Sequence, residues 1–287
     1  MAGGLAGPIV MSEMSYSAPP QPETAQTVRF VPPWLPLLRR ITEVSPDWLV
    51  WKNADLALAG DGDIDSAAPE REWPKIVPEF VTWAREFRLG PVAVCRHIGG
   101  GVELIAIPEE ATAFVELGMK AKRFFRGSTL YRAEDFIPLA QLDTRGFRRL
   151  RPGAEGLMKL VLQGFRWSGA PNVRALREKQ VLELIRSDPL GARAAARLFG
   201  VAEAAVVAAA DAAASGRWDR RAVLTVQTRQ LVRGLRDPGP LIRRARFKLA
   251  GGKPCAVTRA MFEDRRRIPD DRERWLALVR RDHQMYE

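Results

Sequence analysis

Residues 51–65 read WKNADLALAGDGDID, from Trp51 to Asp65, and the way this stretch alternates decides the fold. Ahead of it, Asp47 to Lys52 (DWLVWK) is an aromatic and β-branched run of strand character, and a second strand-like segment covers Ile64 to Ala67. Asp63 and Asp65 are two apart, so in a strand both carboxylates leave the same face. Like charges on one face repel unless a cation sits between them. Hard oxygen ligands favour Mg²⁺ (or Mn²⁺) over zinc. A pair of such metal ions could orient a nucleoside triphosphate and assist an in-line displacement. Asp61, in the glycine turn, is a weaker ligand. The competing readings are an acidic turn with solvated carboxylates and a calcium loop. For the loop, Glu72 falls at the twelfth position, but Ile64, Ala67 and Pro69 spoil the ligand positions between.

The chain of 287 residues is long enough for about two domains. Two cysteines, Cys95 and Cys255, are too few for a disulfide framework and point to a reducing, cytoplasmic compartment. No apolar run approaches the roughly 18 residues that span a bilayer. Residues 1–28 read as a disordered leader. The net charge of +11 is unevenly placed. Residues 1–146 hold 15 Lys and Arg against 19 Asp and Glu, a balance of −4; residues 147–287 hold 30 against 15, a balance of +15. The basic half could meet nucleic acid, a nucleotide or an anionic membrane surface, or be a solvated surface.

Apolar spacing predicts a short helix within residues 29–45 and another over Trp73 to Phe87. Pro91 to Ile98 alternates like a strand, and Val102–Ile107 with Ala111–Lys120 flank Pro108 like a hairpin. From about Gly153 helical patterns dominate. The expectation is a leader (1–28), a mixed α and β domain (29–150) and a mainly helical basic domain (151–287).

A strand ending in Lys52-Asn53, a turn of about ten residues and a strand bearing D-x-D together resemble the nucleotidyltransferase fold of the DNA polymerase β superfamily, within its bacterial uncharacterised branch. The resemblance covers roughly residues 45–170. It implies an α+β fold in which a nucleotidyltransferase-like mixed sheet with helices precedes a mainly helical C-terminal domain. It also implies a magnesium-dependent transfer of a nucleoside monophosphate from an NTP such as ATP to an unknown hydroxyl or phosphate acceptor. Lys52-Asn53-Ala54 stands where the superfamily usually has Gly-Ser, so Lys52 and Asn53 become the phosphate contacts. The superfamily further implies a third carboxylate from a nearby strand. Glu116 is the best placed, with Glu103 and Asp143 in reserve, whereas related domains tend to have Asp where Gly118 stands. Either Glu116 reaches in, or a ligand has been lost and the domain binds nucleotide without turning it over.

Positive charge to meet a triphosphate follows in KAKRFFRGSTLY, as Lys120, Lys122, Arg123 and Arg126. Lys159 and Arg166 are seven apart and would share one helix face. His97 reads as a structural histidine, and the sequence around His283 near the C-terminus forms no recognised motif. Ala192 to Ala214 fits the spacing of a helix-turn-helix, which would make the chain a nucleic-acid-binding regulator. Its second helix has no Arg, Lys, Asn or Gln to reach base edges, so two packed Ala-rich helices are the preferred reading. The tail from Arg229 and the triplet Arg265–Arg267 are basic and partly amphipathic, suited to ordinary helices, an anionic surface or RNA.

Overall fold

The computed structural model describes residues 31–97, 100–109, 113–173, 178–240, 242, 245 and 268–286. The leader, Cys255, Arg265–Arg267, most of the basic stretch past 240 and the side chain of His97 lie outside the described residues. In chain order, α1 (Trp34–Val44), β1 (Leu49–Lys52), α2 (Ala54–Leu58), β2 (Ile64–Ala67) and α3 (Trp73–Glu86) come first. Strands β3 (Val92–His97), β4 (Gly101–Ala106) and β5 (Val115–Lys120) follow, then a hairpin of β6 (Lys122–Phe125) and β7 (Ser128–Arg132). After β8 (Ala140–Leu142) and β9 (Arg148–Leu150) come α4 (Pro152–Gly164), α5 (Glu178–Ser187), α6 (Pro189–Ala196), α7 (Glu203–Ala214) and α8 (Arg220–Arg236). The described part closes with α9 (Arg272–Asp282) and β10 (Gln284–Tyr286).

Eight strands form one mixed sheet in the order β10-β3-β4-β5-β2-β1-β9-β8. Neighbours are antiparallel except β2 with β5 and β1 with β9. Alternation along the strands separates two faces. On one face Val50, Ile64, Leu104, Leu117 and Met119 pack against Leu37, Leu38, Ile76 and Phe80 of α1 and α3. Trp34 and Trp83 stack between these helices with ring centroids 5.0 Å apart. Full burial of a Leu or Phe here contributes roughly 1.5–3 kcal/mol each.

The opposite face has two separate apolar clusters. Leu49, Trp51, Ala67 and Leu150 pack with the helical half through Leu157 and Val161. At the other edge Ala93, Cys95 and Ile105 pack with Trp275 and Val279 of α9. Between them the middle strands carry Asp65, Glu116, Gly118, Lys120 and Glu103, so a charged strip runs down the sheet between two greasy ones.

The α+β class and the mixed sheet agree with the sequence, and β2 occupies the expected Ile64–Ala67. The C-terminal end differs from expectation, because β10 returns to pair with β3 rather than staying with the helices. The physical reason is the edge: β3 without β10 would leave a row of backbone groups unpaired. The Ala-rich segment is α6 and α7, joined through a 3₁₀ stretch at Arg197–Ala202 and packed together. Val206, Ala209, Ala210 and Ala213 are buried, and the fully exposed positions of α7 are Ala204, Ala208 and Asp211. That face offers no donor to a base edge. No helix among the described residues is long and apolar enough to cross a membrane.

Close approach of α4 to α6 depends on glycine. Arg151 pairs with Asp188 at 2.6 Å, and the Gly153 N–H donates to Asp188 Oδ2 at 3.1 Å. A Cβ on Gly153 would fall inside contact distance of the Asp188 backbone oxygen, a group that cannot swing aside. Gly153→Ala is therefore expected to destabilise the protein by about 1–3 kcal/mol. Thermal unfolding followed by circular dichroism measures this, and an unchanged melting temperature would count against the close α4–α6 seam.

Candidate functional site

The site starts from a bulge. Leu49 and Val50 face Ala67 and Ser66, but the register then slips so that Lys52 faces Asp65. An extra residue in one strand re-aims the side chains that follow it. Trp51 consequently joins the apolar cluster while Lys52 Nζ pairs with Asp65 Oδ2 at 2.6 Å and lies 5.1 Å from the Trp51 ring centroid.

From Asp65 a row crosses the sheet. Asp65 faces Gly118 on β5, Gly118 faces Glu103 on β4, and Glu103 faces Cys95 on β3. Gly118 has no side chain, and a Cβ placed there would collide with Glu103 Oε2. The Glu103 carboxylate therefore lies over Gly118, turned toward Asp65. One row along, Lys120 faces Gly101 and lies over it in the same manner. Glu103 and Lys120 cross diagonally and form an ion pair above two glycines.

Glu103 is 3% exposed, and burial pushes its carboxyl up to about 7. Lys120 opposes that rise, while the charges of Asp65 and Asp63 add to it. Both aspartates therefore act on the Glu103 carboxylate. Glu116 alternates onto the same face two residues earlier and is 4% exposed. Tyr131 is buried nearby, its phenol raised chiefly by burial, lowered by Arg123 and raised by Asp65. Arg123 faces Tyr131 across the β6–β7 hairpin. Tyr131 Oη and Trp51 Nε1 are buried with no hydrogen-bond partner among the described residues, so two polar atoms beside this strip are left unsatisfied there.

Asn53 and Lys159 hydrogen-bond to each other in a buried network around α4. Asn53 adopts left-handed backbone, φ 59°, at the start of α2. Its N–H donates to Glu155 Oε1 at 2.9 Å, and its Oδ1 accepts from Lys159 Nζ at 2.8 Å. Lys159 is 1% exposed and also donates to Gln180 Oε1 at 3.0 Å. Arg149 joins Glu155 and Asp55 at 3.0 Å each. The turn after β1 is thus tied to α4 by a buried polar network.

Comparison with family models, curated proteins and solved structures gives no match. The geometry alone must carry the functional argument. It brings Lys52, Asp63, Asp65, Glu116 and Lys120 to one strip, with Arg123 at its border. It separates Arg166, because α4 ends at Gly164 and Arg166 sits in the exposed turn beyond, off the helix face that carries Lys159. Asp143, the other reserve carboxylate, is held by Arg145 and Arg149, and the Arg145 hydrogen bond keeps its carboxyl well below the usual range.

Three residues gain weight beyond what the sequence suggested. Glu103 lies in line with Asp65, a placement fixed by strand register. Tyr131 and Glu155 gave no sequence signal at all. Among the described residues no three His, Cys, Asp or Glu side chains converge so as to hold a metal ion.

Glu103 also makes stability depend on pH. The folded state holds this proton more tightly than an unfolded chain, whose Glu titrates near 4.5. Stability from this group is full below that value and falls as pH rises toward 7, levelling off above it. Glu103→Gln is expected to flatten the melting temperature between pH 5 and pH 7, read from melts in metal-free buffer. The same slope in both proteins would show that Glu103 is not the group responsible.

Proposed function

We propose that this protein is a metal-dependent nucleotidyltransferase that moves a nucleoside monophosphate from an NTP to a hydroxyl or phosphate acceptor. The observation that supports it most is the cross-strand row: Asp65 on β2, the open place above Gly118 on β5, and Glu103 reaching into that place from β4. The expected β5 side chain is absent, and a carboxylate from the next strand fills its space.

The donor set suits magnesium brought in with its nucleotide. Magnesium is commonly held by one or two carboxylates plus substrate phosphates rather than by a closed protein cage. Asp63 and Asp65 would hold it, with Glu103 as a nearby third carboxylate and the remaining positions left to phosphate oxygens. Bound there, the ion would neutralise phosphate charge during transfer. The chain's own part is charge and position. Lys52, Lys120 and Arg123 supply cations for triphosphate oxygens, the first two by turning away from Asp65 and Glu103. Tyr131 Oη and Trp51 Nε1 offer buried donors whose hydrogen bonds are unmade among the described residues.

A second reading, nucleotide binding without turnover, is favoured by Gly118 itself and by the Lys52–Asp65 pair, which holds one carboxylate of the D-x-D motif. Two measurements separate the readings. Labelled ATP with Mg²⁺ is expected to bind the wild type, and Asp63→Asn with Asp65→Asn is expected to lower pyrophosphate release by more than about a hundredfold. Binding without pyrophosphate release from any of the four NTPs would select the second reading. No binding of any NTP would overturn both.

A further inference from the structure

The turn after α4 is built more firmly than an exposed turn requires. Four of its carbonyls are held by side chains from elsewhere in the chain. Arg126 Nη2 donates to Phe165 O at 2.8 Å, and Gln227 Nε2 to Arg166 O at 2.7 Å. Arg220 Nε donates to Ser168 O at 3.0 Å, and Trp218 Nε1 to Gly169 O at 2.7 Å. A Phe165–Pro171 bridge closes its base. The exposed side chains of this rigid turn are Arg166, Trp167 and the small Ser168, and Trp167 is 59% exposed. A fixed, solvent-exposed tryptophan is costly to leave uncovered, since its apolar faces stay in water.

Arg126 gives a second, independent observation. It and Gly127 are the two central residues of the β6–β7 hairpin, with φ of 51° and 90°. Such turns favour Asn-Gly, and a long side chain in left-handed backbone is strained. The strain places the guanidinium 4.9 Å from the Phe125 ring centroid and 4.0 Å from that of Trp167. One face of the indole is thereby stacked on a cation, and the ring is held in place for a second partner. Arg166 and Arg220 are exposed beside it, Arg217 and Arg221 are exposed in the same segment as Arg220, and the acidic residue of that segment, Asp219, caps α8 by accepting from the Ala222 N–H.

We propose that Trp167, stacked on Arg126 and flanked by Arg166 and Arg220, is a docking platform for single-stranded nucleic acid. A base stacks on the open indole face, and the arginines meet the phosphates beside it. Stacking tolerates any base and arginine meets any phosphate, so the platform binds strands with little sequence preference. The surface is distinct from the nucleotide strip and does not depend on the function proposed for it.

The test uses the full chain and fluorescein-labelled (dT)₁₂ and (rU)₁₂, read by fluorescence anisotropy at 50 and 200 mM salt. Trp167→Ala is expected to weaken binding about tenfold or more, as loss of one stacked base does, with an unchanged melting temperature because the ring is exposed. Trp167→Phe should retain most of the affinity, and Arg166→Ala should weaken binding while reducing its salt dependence. Preference for (rU)₁₂ or (dT)₁₂ identifies the strand type. Equal binding by wild type and Trp167→Ala, or competition by polyglutamate as effective as by oligonucleotide, would overturn the proposal. ATP binding measured on Trp167→Ala should equal that of the wild type, which separates failure of this platform from failure of the nucleotide site.

Discussion

A charge can stay inside a sheet only where an opposite charge comes within reach, and in the middle of this sheet two glycines create that reach. Gly118 and Gly101 leave gaps on β5 and β4, and Glu103 and Lys120 lean across them to meet. The two apolar clusters on that face are consequently held apart, one under the helical half and one under α9. A pair of apolar residues at 103 and 120 would let the greasy surfaces run together. The charged strip exists because the sheet is interrupted there by polarity rather than by a gap in the backbone.

The β1–β2 bulge extends the same logic to the strip's far side. It places Lys52 against Asp65, so Asp65, like Glu103, has an ammonium partner. The next residue, Asn53, is fixed by Glu155 and Lys159 of α4. A helix from the second half of the chain therefore sets the angle at which β1 leaves the sheet. The bonds from Asn53 and Asp55 to Glu155, Lys159 and Arg149 join groups more than ninety residues apart in sequence. Such coupling raises the loop-closure cost of forming the site and makes its geometry dependent on docking of the helical half.

Much of the scaffold was legible in the sequence. The alternation of residues 64–67 and the apolar spacing of 73–87 are local signals, and both elements formed as they imply. Of the D-x-D pair, Asp65 lies inside β2 and Asp63 just ahead of its first residue. What a linear reading could not supply was register. Glu103 and Glu116 are each plausible from alternation alone, and only the pairing of β4 with β5 shows which carboxylate lies over Gly118. Helix length misled in the case of Arg166, because a seven-residue spacing implies a shared face only if the helix continues, and α4 stops at Gly164. Lys159 is a different case. Its burial follows from acceptors supplied by Asn53 and Gln180, which no pattern around position 159 announces.

The crossing of Glu103 and Lys120 has a consequence for how such a sheet can change over time. Positions 101, 103, 118 and 120 are sterically coupled: a side chain placed at 118 must be matched by a smaller one at 103, and likewise for 101 and 120. Within that set a carboxylate can migrate from one strand to its neighbour while remaining in the same row opposite Asp65. A family comparison made column by column would score such a migration as a lost acid and an unrelated gain. Measured in space, the negative charge has moved by about one strand spacing, roughly 5 Å, and the strip keeps its ledger of charge.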